Sequence, residues 1–168
     1  MLHLIILERV LTMDFKKIIK KLNKNNLTIA TMESCTGGGV ANAITNIEGA
    51  SDVLHFSSVT YCNEAKIKMG VKKSTIDKYS VYSIEVAEEM SKCICDAANS
   101  DIGIGVTGKL NRVDKNNPFG FDNIVFISIY DTRNRKNYNY LVEATKGSRS
   151  DNKKLVIDKI IQGLDKII

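Results

Sequence analysis

Apolar positions recur at two spacings along this chain, and the alternation between them predicts most of the architecture. Phe15, Ile18, Ile19 and Leu22 stand at helical intervals among lysines, predicting an amphipathic helix that ends near residues 23–26. Residues 27–32 follow as a short apolar, β-branched run of the kind buried inside a sheet. Three glycines at 37–39 lead into a helix of small residues from Val40, and 46–51 reads as a turn. A second strand is expected over 53–61, a short helix over 64–69 closed by Gly70, and a helical turn over 74–79. Ser83, with Glu85 and Val86, opens a longer helix running to about Asn99, with Val86, Met90, Cys93 and Ile94 on one face. The stretch D-I-G-I-G-V-T over 101–107 predicts a third strand whose glycines allow close backbone packing. Strands over 123–130 and 137–143, joined by a turn at 131–136, read as an antiparallel hairpin, and 150–168 closes the chain as a helix. Helices alternating with strands, then a hairpin, predict an α/β fold: a single three-layer α/β/α domain with a mixed sheet.

Composition narrows the class. The chain has 168 residues, 43% hydrophobic and 26% charged, with one proline; this length suits one domain able to bury its own core, and the balance excludes a disordered or collagen-like chain. The net charge of +5 is mild and spread out, which suits an anionic small molecule and gives no specific signal for nucleic acid. Four cysteines (35, 62, 93 and 95) and two histidines show no metal-ligand spacing, so reduced thiols and no metal are expected. Residues 1–10 are apolar but interrupted by Glu8 and Arg9, too short for a membrane span and without a cleavage-site pattern. Residues 1–12 read as an extension, with Met13 a possible natural start, and the chain as cytoplasmic with no membrane partner.

Two stretches carry candidate chemistry. In T-M-E-S-C-T-G-G-G, residues 31–39, a strand ends at Ser34 and passes through glycines into a helix. Main-chain N–H groups gathered there suit a phosphate or a developing oxyanion, although Ser34 or Thr36 acting as a plain helix cap fits the same pattern. The stretch is neither a Walker loop nor G-x-G-x-x-G. In V-T-Y-C-N-E-A-K, Tyr61 ends a strand and Lys66 lies five residues on. A serine hydroxyl needs a base, and a lysine serves only if burial or a cationic neighbour lowers its pKa; a tyrosine hydroxyl between them can relay the proton. A solvated helix lysine and a tyrosine packed on the sheet are the alternatives.

Together these motifs resemble the CinA-type C-terminal domain, the nicotinamide-nucleotide amidase family. The spacings match: Tyr61 stands 27 residues after Ser34, and Lys66 five after Tyr61. V-Y-S-I-E-V-A-E-E-M at 81–90, G-V-T-G at 105–108 and G-S-R at 147–149, where the family usually has G-D-R, extend the resemblance over about 22–164. It implies an amidase domain over 13–168 that hydrolyses the carboxamide of nicotinamide mononucleotide to nicotinate mononucleotide and ammonia, without a cofactor, as a homo-oligomer. Ser34 resembles the nucleophile, Lys66 the general base and Tyr61 the relay. The N–H groups of residues 35–38 (Cys35, Thr36, Gly37, Gly38) are expected to hold the oxyanion or phosphate. Thr107 and Gly108, at a strand end where ligands usually sit, are assigned to substrate contact, with simple turn formation the alternative. Glu33 is a candidate for the ribose or nearby backbone, with a structural role its equal alternative, and Arg149 for a phosphate, with an exposed helix-capping arginine its alternative. One stretch departs: after V-T-G the family runs I-A-G-P and further glycines, whereas this chain has K-L-N-R-V-D-K-N-N-P at 109–118. Such a loop can read a different substrate, or leave a non-catalytic pyridine-nucleotide-binding homologue. A globular subunit docking an acidic partner is the third reading.

Overall fold

The computed structural model describes residues 14–168; the extension over 1–12 lies outside them. The elements run α1 (Lys16–Lys24), β1 (Ile29–Glu33), α2 (Gly39–Thr45), a 3-10 turn (Ala50–Asp52), β2 (Leu54–Val59), α3 (Asn63–Lys68), α4 (Lys73–Tyr79), α5 (Ile84–Ala98), β3 (Ile102–Gly108), β4 (Ile124–Asp131), β5 (Lys136–Glu143) and α6 (Arg149–Ile167). The five strands form one sheet in the order β2-β1-β3-β4-β5. β1 is parallel to both β2 and β3, whereas β4 and β5 add antiparallel, so the sheet is mixed and the expected hairpin is present.

Strand alternation sorts the side chains into two cores. Ile102, Ile104 and Val106 of β3 face a layer built on α1, α2 and α6, with Ile18, Leu22, Ile44, Val156 and Ile160. Ala30 and Met32 of β1 face the opposite layer, where α4 and α5 supply Ile76, Val86, Met90 and Ile94. Helix α5 comes unusually close to the sheet because β3 presents glycines to it. A Cβ on Gly103 would lie 2.0 Å from the Ser91 carbonyl oxygen, and one on Gly105 would lie 2.2 Å from that of Ala87. Ser83 caps α5 as its sequence predicts, its hydroxyl accepting from Val86 N–H at 3.3 Å.

The chain crosses from β2 past β1 to β3, so β1 sits where the connections change direction. Ligands in open α/β sheets collect outside the carboxyl ends of the strands at such a point. The segments leaving β1, β2 and β3 there are Ser34 onward, Thr60 onward and Lys109 onward.

Candidate active site

Ser34 is the first residue beyond β1 and Thr60 the first beyond β2. The parallel register pairs Glu33 with Val59, which brings the two exits level. Helix α3 begins three residues after Thr60 and folds Lys66 back beneath them. Lys66 is only 1% exposed, which excludes the solvated-helix alternative. Its Nζ lies 3.0 Å from Ser34 Oγ and donates at 2.6 Å to the Thr60 carbonyl oxygen. Burial disfavours the charged ammonium and brings the Lys66 pKa down to about 8, within reach of a general base. Cys35, beside the serine, goes the other way: burial pushes its thiol up to about 12, leaving it a protonated wall.

Tyr61 lies in the same cleft but does not stand between serine and lysine. Thr60 points inward, so strand-like alternation turns Tyr61 outward, 66% exposed, where its hydroxyl accepts from Arg149 Nη2 at 3.4 Å. Serine and lysine meet directly, without the relay the sequence suggests.

The turn after Ser34 is more constrained than its glycines imply. Gly37 and Gly38 have φ of 60° and 90°, a left-handed region that a Cβ disfavours. Gly37 N–H donates to the Ser34 carbonyl at 2.9 Å, and Gly39 N–H to that of Thr36 at 3.1 Å. Gly38, Val40 and Ala41 N–H all donate to the Glu33 carboxylate, at 3.1, 3.0 and 2.8 Å. Of the N–H groups expected to face a ligand, those of Cys35 and Thr36 alone have no main-chain or carboxylate acceptor among the described residues. The Thr36 hydroxyl beside them is buried with no hydrogen-bond partner among the described residues.

Five of the residues expected to touch a ligand stand outside the cleft lining. Glu33 shares its strand face with Ile29 and Thr31, so its side chain enters the α2 layer, fully buried, and lines no part of the cleft. Thr107 is also buried, and its hydroxyl donates to the Val81 carbonyl at 2.9 Å, tying β3 to the segment before α5. Thr36, Gly37 and Gly38 form the wall behind the cleft rather than its lining.

The cleft itself has a volume of about 770 Å³ and is lined by Ser34, Cys35, Tyr61, Lys66, Gly108 and Arg149 from the expected set. Its roof is the rewritten loop, which the sequence marks as a departure without indicating which residues matter. Tyr82 donates to Asp114, and Asn63 Nδ2 donates to Asn117 Oδ1 at 3.2 Å, so the loop is held to both the α5 approach and the start of α3. The Tyr82 and Asn117 hydrogen bonds hold the Asp114 carboxyl below its usual range, and burial with the Asp114 bond raises the Tyr82 phenol. Lys109 is buried, donating to Asp122 at 2.9 Å and to the Phe119 carbonyl at 3.1 Å. Arg112 and Arg149 both line the cleft, and neither has a carboxylate partner among the described residues, whereas Lys109 is paired with Asp122. The site therefore favours an anion. Among the described residues no three His, Cys, Asp or Glu gather as a metal site, and no helix is long and apolar enough to cross a membrane.

A family model described as the CinA C-terminal domain matches residues 13–168. The chain belongs to that family. A CinA-like protein of Kosmotoga olearia is 47% identical over 92 residues, covering 54% of this chain and 22% of its own length. A competence-damage inducible protein of Caldanaerobacter subterraneus is 50% identical, also over 92 residues and with the same coverage. The matched segment thus spans about a fifth of the length of these curated relatives. Among solved structures, a CinA superfamily protein of Escherichia coli superposes with a TM-score of 0.80 at 24% identity, over 91% of this chain and 87% of the other. A competence/damage inducible protein of Agrobacterium tumefaciens gives 0.75 at 26%, over 90% and 89%. The mixed five-stranded α/β/α fold is the fold of the CinA superfamily.

Proposed function

We propose that this CinA domain is a serine amidohydrolase that removes ammonia from the carboxamide of nicotinamide mononucleotide. The observation that carries the reading is the 3.0 Å contact between Ser34 Oγ and a buried, charge-disfavoured Lys66 amine at the floor of an anion-favouring cleft. In the neutral amine one N–H stays on the Thr60 carbonyl, which turns the lone pair toward the serine hydroxyl. Ser34 Oγ attacks the amide carbon as its proton passes to Lys66 Nζ. The Cys35 N–H group, beside the serine in the cleft lining, stabilises the tetrahedral oxyanion. Collapse breaks the C–N bond, Lys66 returns the proton to the leaving nitrogen, and ammonia departs. Water then attacks the acyl-serine, giving one proton to Lys66, which passes it to Ser34 as the C–O bond breaks; nicotinic acid leaves and releases its remaining proton to solvent as the carboxylate. Arg149 and Arg112, both lining the cleft, take the phosphate in this reading, with Tyr61 bonded to Arg149 at the rim.

The test is ammonia release from nicotinamide mononucleotide by the purified chain. Activity is expected in the wild type and loss of at least a thousandfold in Ser34→Ala, with nucleotide binding by calorimetry retained. The non-catalytic reading draws on the rewritten 109–118 loop; it requires nucleotide binding without ammonia, and that result would replace the amidase.

A further inference from the structure

We infer that Glu33 is the positioning residue that holds nucleophile and base in register, an inference resting on the Ser34–Lys66 reading of the site. Two branches of hydrogen bonds leave this one residue. Through its side chain, Oε2 accepts from Gly38 and Val40 N–H, and Oε1 accepts from Ala41 N–H and from the Thr31 hydroxyl at 3.3 Å. Through its main chain, the Glu33 carbonyl accepts from Thr60 N–H at 2.8 Å and the Thr60 hydroxyl at 3.3 Å; the Thr60 carbonyl in turn accepts from Lys66 Nζ at 2.6 Å. The first branch fixes the turn that follows Ser34, and the second fixes the amine that faces it.

A plain helix cap needs one acceptor oxygen, and a serine or asparagine supplies it. Here a fully buried carboxylate, with no lysine or arginine paired to it among the described residues, is balanced by three amides and a hydroxyl. Burying such a group is costly unless every lone pair is met. Its yield is selective: by drawing in the amides of Gly38, Val40 and Ala41 it holds the turn so that the amide of Cys35, in the cleft lining, stays available to an oxyanion. Glutamine has the same size but would set an NH₂ against N–H donors, so it breaks the side-chain branch and leaves the main-chain branch intact. Because Glu33 lines no part of the cleft, the loss falls on the reacting geometry rather than on ligand affinity.

The experiment measures the rate of covalent labelling of Ser34 by a fluorophosphonate in wild type, Glu33→Gln and Glu33→Asp. Alongside it run circular dichroism, calorimetric affinity for nicotinamide mononucleotide, and the pH dependence of labelling. The expected result is labelling at least tenfold slower in Glu33→Gln, with affinity within twofold and the rise with pH still centred near 8, where Lys66 titrates. Glu33→Asp, which keeps the charge on a shorter stem, is expected to recover part of the rate. A folded Glu33→Gln that labels at the wild-type rate reduces Glu33 to a cap and overturns the inference. If Glu33→Gln does not fold, Glu33→Asp decides in the same terms: slower labelling at unchanged affinity supports it, and the wild-type rate overturns it. Wild type that labels at Ser34 but releases no ammonia removes the substrate assignment and leaves this inference standing. Wild type that does not label at Ser34 removes both.

Discussion

A lysine amine enclosed to 1% exposure, with a hydroxyl and a carbonyl beside it and no carboxylate within ion-pair distance among the described residues, costs the fold stability, which the proposed chemistry turns to reactivity. The sign follows from the direction of the shift. With a folded pKa of about 8 against an ordinary 10.5, folded and unfolded chains are both protonated below pH 8, where the full cost of the buried ammonium is present. Between about 8 and 10.5 the unfolded chain holds the extra proton, so stability rises with pH and the cost disappears. Lys66→Met is therefore expected to be inactive yet more stable at pH 7 by about 1–2 kcal/mol, the unmet Thr60 carbonyl offsetting part of the gain. The difference should close toward pH 10, as thermal melts across pH will read. In the wild type, kcat/KM should climb with an acid limb centred near pH 8.

At the scale of elements, the pattern of apolar positions was enough to place every helix and strand of the described chain to within a few residues, because 3.6- and two-residue periodicities are local properties. Facing was harder to read. Glu33 sits in the middle of the ligand-like motif, yet one step of strand alternation sends it into the α2 layer, and the next step after Thr60 sends Tyr61 to the rim. Deciding either requires knowing which strands flank β1, a long-range fact. The roof residues Tyr82, Asp114 and Asn117 were invisible for the same reason: their partners lie 32 and 54 residues away. The β3 glycines, by contrast, were legible as sites of close approach. Gly105→Ala places a Cβ 2.2 Å from the Ala87 carbonyl oxygen and is expected to destabilise by about 3 kcal/mol, read as a lower urea midpoint.

Across the whole molecule, the reacting groups come from the parallel half of the sheet, and the roof is contributed by the connection that leads into its antiparallel half. Tyr82→Phe keeps the ring beneath Lys109, whose Nζ lies 5.2 Å from its centroid, and removes only the bond to Asp114. Losing that tether should raise KM for the nucleotide about fivefold, with kcat within twofold, in steady-state assays of ammonia release. The antiparallel register has a consequence at the opposite pole. Asp131 is level with Ile102, at the amino end of β3, so the tip at Asn134 and Arg135 hangs a full strand length from Ser34. A tether, dye or fused partner attached at that tip leaves the chemistry out of earshot, which makes the hairpin the natural handle of the molecule.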